Sequence, residues 1–333
     1  MYTYLAIVPP TRGISRLAVS LVVLSLVVLG RSLAFSQVGQ NDVHIVPRST
    51  IPTRDQVLTL KTTVNLVLVN VTVTDSRERL VSDLRASDFS LLDDKQPQHI
   101  KYFSREDMPI SIALVFDTSE SMKNYMEQAR QAAIEFYRAS NPKDEFTVIT
   151  FGDRPETLLD FSDPIASLGA RLQPIQAKGH TSLWDATYLA LEKMQKARYS
   201  KRAVLLISDG GDNHSRYTEG ELRSILREAD VQVYAVAPYK NSGRLPEDKS
   251  GLLWLDEVTS ETGGRVFAIH EPNELLNAVT QISDELRNQY VLGYLPAPGA
   301  RNGKWHKLKV KLNTDRTERL RTYAKNGYYG PAE

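Results

Sequence analysis

The sequence predicts an α/β fold, a doubly wound and mostly parallel sheet inserted between β-rich flanks that form a small β-sandwich-like unit. Three observations lead there. Between residues 108 and 287, apolar runs of strand length alternate with segments whose apolar residues recur at helical spacing. Before that stretch, Val67, Val69, Val71 and Val73 alternate with Leu68, Asn70, Thr72 and Thr74, the period of two of a strand with one strongly apolar face. After it, Leu308, Val310 and Leu312 alternate with Lys307, Lys309 and Lys311 in the same way. Neither flank can bury much apolar surface alone, so the two are expected to pack together across the inserted domain.

Taken in order, the chain opens with Arg12 and Arg16, then an apolar or small stretch over residues 17–29 that ends at Gly30-Arg31. That length suits the apolar region of a signal peptide better than a membrane span, which needs about 20 apolar residues. Small residues permit cleavage after Ala34 or Ser36, so residues 1–36 read as a signal peptide, with an uncleaved N-terminal membrane anchor as the competing reading. Residues 37–55 are polar, contain Pro47 and Pro52 and lack periodicity, which marks a linker. The N-terminal β-rich segment, 56–107, adds strands at 89–92 and 99–103 around a turn at 93–95. Asp93-Asp94 at its tip reads as a solvated turn and not as a cation site.

The domain over 108–287 begins with a buried strand at 110–116 that stops at Asp117-Thr118-Ser119-Glu120-Ser121. Met122, Met126, Ala129, Ala133 and Phe136 then recur at helical spacing and stop before Asn141-Pro142, a packing face for the sheet. Strands follow at 146–151, 157–161, 203–207, 231–237 and 265–269. Helices are expected at 165–172, 183–197, 219–228, 252–260 and 273–287, with a long polar loop over 239–251. The C-terminal segment, 288–331, returns to strands at 290–295, 306–312 and 321–329. Its lysine row reads as a solvated face that also discourages edge pairing.

The chemistry gathers on three loops. Asp117, Ser119 and Ser121 supply a carboxylate and two hydroxyls; Thr181, on the glycine-led loop before the 183–197 helix, supplies a third hydroxyl; Asp209 supplies a second carboxylate after the 203–207 strand. Oxygen-only donors suit Mg²⁺ or Mn²⁺. Asp and Ser are also common helix caps, so the first loop alone reads more readily as a cap than as a metal site. The three segments together resemble the von Willebrand factor type A (VWFA) domain and its metal-ion-dependent adhesion site. That family's D-x-S-x-S, Thr and Asp fall on Asp117, Ser119, Ser121, Thr181 and Asp209 without departure. The flanks also resemble bacterial secreted VWFA-related proteins.

The resemblance implies a Rossmann-like sheet with the site at the carboxyl ends of its strands. It also implies an ion held by the two serines, with the threonine and both aspartates bound directly or through water. One position would be completed by an Asp or Glu carboxylate from a partner protein. Binding is thus expected in place of turnover. His180 and His214 flank these loops as exposed side chains, Asp185 reads as a helix-dipole or supporting residue, and Asp212 as an extra rim carboxylate.

Composition narrows the alternatives. With 41 Lys plus Arg against 40 Asp plus Glu, the net charge of +1 creates no field for nucleic acid. With 0 cysteines, disulfides, thiolate metal sites and a cysteine nucleophile are excluded. A Mg²⁺-dependent hydrolase with Asp117 as nucleophile is the alternative from another class. Such enzymes want a second carboxylate two residues on, where this chain has Ser119, and neither G-x-S-x-G nor H-E-x-x-H is present. A cell-envelope scaffold with a structural metal is the third reading.

Overall fold

A computed structural model describes residues 66–238, 246–313 and 319–330. The expected signal segment and linker lie outside the described residues. Among the described residues, no helix is long and apolar enough to cross a membrane.

The elements in chain order are β1 Val67–Thr74, β2 Phe89–Asp93, β3 Gln96–Gln98, β4 Ile100–Ser104, β5 Ser111–Asp117, α1 Met126–Ala139, β6 Glu145–Phe151 and β7 Pro155–Leu159. They continue with α2 Leu168–Leu172, α3 Leu183–Met194, β8 Arg202–Ile207, α4 Glu219–Glu228, β9 Gln232–Pro238, α5 Pro246–Thr262, β10 Val266–Ile269 and α6 Glu274–Arg287. The last strands are β11 Tyr290–Tyr294, β12 Trp305–Leu312, β13 Arg321–Ala324 and β14 Gly327–Tyr329.

Six strands form one sheet in the order β10-β9-β8-β5-β6-β7, parallel except for β7. Its two faces are built from alternate residues of the same strands. Ile112, Leu114 and Phe116 of β5 face α1 and α6 through Met126, Phe136, Val279 and Ile282. Ala113 and Val115 face the other way, toward Leu183, Leu191, Leu222 and Leu255 of α3, α4 and α5. Helices on both faces explain why β5 is apolar from Ile112 to Phe116 and not alternating. Each large side chain buried there contributes about 1.5–3 kcal/mol, enough in sum to offset the few kcal/mol that burying a carboxyl at the strand's end costs.

The chain leaves β5 toward β6 on one side and returns as β8 on the other. The crevice beyond the carboxyl ends of β5 and β8 is therefore the place where the strand order reverses, and ligand sites of doubly wound sheets lie there.

The flanks interleave into two four-stranded sheets, β13-β1-β11-β4 and β14-β12-β2-β3, each taking strands from both ends of the chain. Val69, Val71, Val73, Phe89, Leu91, Tyr290, Leu292, Leu308 and Val310 fill the space between them. The expected architecture is thus met, with differences in how strands are used. The segments at 89–92 and 99–103 do not form one hairpin: β2 turns into β3, and β4 crosses to the other sheet to pair with β11. The 321–329 segment is likewise split, β13 pairing with β1 and β14 with β12. Strands that switch sheets make the corners of a sandwich, and a period of two cannot show where they do so.

Two further expectations are corrected. Helix α5 begins at Pro246, inside the expected loop. Thr72 and Thr74 are buried as well as the valines, because the second face of β1 meets the inserted domain, where Gln289 Nε2 donates to Thr72 Oγ1 at 3.3 Å and to Gln232 Oε1 at 2.9 Å. Beside this junction Arg265 Nε donates to Glu285 Oε1 at 2.8 Å, and its guanidinium also pairs with Glu78 of the sandwich. Burial pushes the Glu285 carboxyl above its usual range even with Arg265 beside it.

Candidate metal centre

Asp117 is the last residue of β5 and is fully buried, at 0 % exposure. Its Oδ1 accepts the Ser119 backbone N–H at 2.8 Å, which curls the chain immediately beyond the strand. Its Oδ2 accepts the Ser208 hydroxyl at 2.6 Å, from the end of β8. The Ser119 and Ser121 hydroxyls lie 3.1 Å apart, Ser119 buried and Ser121 exposed. A 3₁₀ turn over Glu120–Met122 follows, and α1 starts only at Met126.

That start corrects two sequence expectations. Neither serine caps a helix, since no side-chain cap bond is made at either the turn or α1. The helix also begins at Met126 and not at Met122, where the helical spacing of apolar residues starts. With capping removed, the paired hydroxyls are left as oxygen donors beside a buried carboxylate.

The second and third loops are tied to the first through the backbone. Lys178 N–H donates to Thr118 O at 2.8 Å and Glu120 N–H to Gly179 O at 3.3 Å, joining the Thr181 loop to the Asp117 loop. Gly179 has φ +80°, and a Cβ there would come within 2.7 Å of Asp153 Oδ1, so glycine is required where the loop turns in. Thr181 is buried; its N–H donates to Asn213 Oδ1 at 2.9 Å, and its carbonyl accepts the N–H groups of Asn213 and His214, each at 3.0 Å. Asp209 stands two residues beyond β8, with Oδ1 accepting the Gly211 N–H at 3.2 Å. Its charge reaches Asp117, whose carboxyl is pushed up to about 7, first by burial and then by Asp209.

The structure thus gathers Asp117, Ser119 and Ser121 in direct contact, sets Asp209 close enough to act on Asp117, and fixes Thr181 against the loop that follows Asp209. Two neighbouring carboxylates with three hydroxyls form an all-oxygen donor set, and a hard divalent ion fits such a set.

Supporting residues fall into place around it. Asp185 Oδ1 accepts the N–H groups of Arg216 and Tyr217, at 2.8 and 3.0 Å, pinning the third loop. Asp212 Oδ2 accepts Trp184 N–H at 3.0 Å and the Ser215 hydroxyl at 2.5 Å, so it caps the first turn of α3. His180 and His214 are exposed, with rings stacked at 4.9 Å. Ser208 and Asn213 escaped the sequence reading. Both sit in the polar run around Asp209, yet only the register of β8 against β5 shows that Ser208 meets Asp117.

Residues 112–211 match the model of the von Willebrand factor type A domain, so the chain carries such a domain over that stretch. No curated protein matches the chain. Among solved structures it is similar to a von Willebrand factor type A protein from Catenulispora acidiphila, with TM-score 0.47, 11 % identity, and coverage of 80 % of this chain and 75 % of the other. An aerotolerance-related membrane protein from Bacteroides fragilis gives TM-score 0.42 and 18 % identity over 53 % of this chain and 98 % of its own. Proximal thread matrix protein 1 from the mussel byssus, with a zinc-occupied MIDAS motif, gives 0.45 and 19 % identity over 58 % of this chain and 49 % of its own.

Proposed function

We propose that this chain is an exported, metal-dependent protein-binding module of the adhesion type. Asp117, Ser119, Ser121, Thr181 and Asp209 would hold one Mg²⁺, or Mn²⁺, and an Asp or Glu of a partner protein would complete its coordination. The observation that carries this reading is the Ser119–Ser121 hydroxyl pair, uncapped and 3.1 Å apart, beside a buried Asp117 at the reversal of strand order. Three neutral hydroxyls and two carboxylates at most neutralise a divalent ion. An anion from outside is therefore still attracted, and Ser121 lies on the solvent side. Binding is favoured over hydrolysis because a hydroxyl, at Ser119, occupies the place where a phosphatase-like site needs its second carboxylate. The N-terminal segment would direct export.

The reading is tested by calorimetry with Mg²⁺ and Mn²⁺ on the full chain and on Asp117→Ala and Asp209→Ala. Each variant should lose ion binding while keeping its circular dichroism, and retained binding in both would remove the site. Capture of a partner from envelope extract should require Mg²⁺, fail with EDTA and weaken in Thr181→Ala. A partner that survives EDTA and Thr181→Ala would leave only the structural-metal scaffold.

A further inference from the structure

A second cluster of ligating side chains lies in the sandwich, away from the adhesion-type loops. The inward positions of β2 are Phe89, Leu91 and Asp93, and those of β12 are His306, Leu308 and Val310. A carboxylate and an imidazole thus occupy positions that the strand period reserves for apolar side chains. Asp93 is 5 % exposed and His306 8 %.

Asp93 is satisfied on one side only. Its Oδ2 accepts the hydroxyls of Tyr294 at 2.8 Å and Tyr328 at 3.0 Å, while its buried Oδ1 has no hydrogen-bond partner among the described residues. A buried carboxylate oxygen left bare is costly, and Oδ1 looks toward His306 Nδ1 at 3.9 Å. Asp94 brings a second carboxylate to the same nitrogen, Oδ2 lying 2.8 Å from Nδ1, while its Oδ1 accepts the Lys307 N–H at 2.9 Å.

The far side of the ring sets the tautomer. Asn302 Nδ2 donates to Gly299 O at 2.9 Å and its Oδ1 accepts Lys304 N–H at 2.8 Å, which fixes the amide orientation. The Oδ1 therefore meets His306 Nε2, at 3.1 Å, as an acceptor, so the proton is on Nε2. A ligating histidine is typically oriented by an acceptor on its other nitrogen in this way. Nδ1 is then left to share with the two carboxylates either a proton or a metal ion.

We infer that Asp93 Oδ1, Asp94 Oδ2 and His306 Nδ1 form a second divalent-metal site, of the Zn²⁺ class, that pins the β2–β3 turn to β12. The three ligand atoms lie within 4.8 Å of one another. Tetrahedral zinc with bonds near 2.0–2.1 Å separates its ligands by about 3.3 Å, between the 2.8 and 3.9 Å seen here, so small side-chain shifts suffice. One imidazole with two carboxylates selects zinc over magnesium, opposite to the all-oxygen loops, and two carboxylates neutralise the ion. Water would fill the fourth position.

The test uses the full chain carrying Asp209→Ala, so that the all-oxygen loops do not compete, with Zn²⁺ alone as the probe in calorimetry after EDTA treatment and its removal. One equivalent should bind. Affinity should fall at least 100-fold when His306→Gln or Asp94→Asn is added. Asp94 lies at an exposed turn with φ +46°, which Asn tolerates, so that variant keeps the test independent of folding, and circular dichroism checks both. No zinc uptake, or uptake unchanged in both variants, would overturn the proposal. Loss of zinc on His180→Gln instead would move the ion to the stacked His180–His214 pair and overturn it equally.

Discussion

Two aspartates close two strands of this protein, Asp117 at the end of β5 and Asp93 at the end of β2, and both are buried. Their surroundings are assembled in opposite ways. Asp117 takes its backbone partner from Ser119, two residues on, lies beside hydroxyls of the same loop, and takes one hydroxyl, Ser208, from 91 residues away. Asp93 takes both tyrosine hydroxyls from the far end of the chain, Tyr294 and Tyr328, 201 and 235 residues away. A parallel strand that feeds a loop carries part of its site within that loop, and the end of the neighbouring strand β8 supplies the Ser208 hydroxyl. A sandwich built from the two ends of a chain makes its polar core only once those ends have met.

The strongest way to break this contrast is to remove residues after Gln289. That deletion takes β11 to β14, half of each outer sheet. β1 and β2 should then lose all protection in limited proteolysis, whereas β5 and its loop keep theirs. Equal resistance of 66–104 with and without the C-terminal segment would show that the flanks fold separately.

Next in size is the link between the two regions. Arg265→Ala leaves Glu285, 1 % exposed, without its cation and removes one of the two arginines paired with Glu78, the other being Arg321. Breaking a buried pair from one side costs about 3–5 kcal/mol, to be read from urea unfolding. A loss below about 1 kcal/mol would mean that solvent reaches Glu285 when the pair is broken.

A pH series sharpens the contrast at Asp117. A carboxyl whose folded pKa, about 7, lies above its ordinary value of 3.8 stabilises the fold only while it is protonated. In EDTA, stability should therefore fall as pH rises between those values, by up to about 1.4 kcal/mol per pH unit. Asp117→Asn, or saturating Mg²⁺, should flatten the slope. A slope that persists in Asp117→Asn must come from another group.

The smallest effects come from single hydroxyls. Ser208→Ala removes the side-chain donor to Asp117 Oδ2 and should cost about 1.5–3 kcal/mol above pH 7. Tyr294→Phe leaves Tyr328 still donating to Asp93 and should cost about 1 kcal/mol. Thermal unfolding that ranked the two the other way would mark the sandwich carboxylate as the more dependent one.

The same contrast governs what could be read in the residues. Asp117, Ser119 and Ser121 were legible because a strand end and its loop are contiguous, and Thr181 and Asp209 because each opens a short polar run of its own. Asp93-Asp94 read as a solvated turn, which holds for the exposed Asp94; Asp93 is instead buried against two tyrosines. Nothing near it announces those tyrosines, and His306 is one residue in a lysine-rich strand.

The strand and helix periods and the three oxygen-bearing loops were readable in the residues alone, because each rests on spacing within a few residues; the reversal of strand order around β5 was not, since β5 and β8 are about 90 residues apart. Packing settled that β4 and β13 leave their neighbours for the opposite sheet, that α1 starts at Met126 and so frees two serine hydroxyls, and that Ser208 meets Asp117. It also decided that Asp93 and His306 share one end of the sandwich core. These depend on register and on contacts between distant segments. A period fixes which face a side chain takes and leaves open what it will find there.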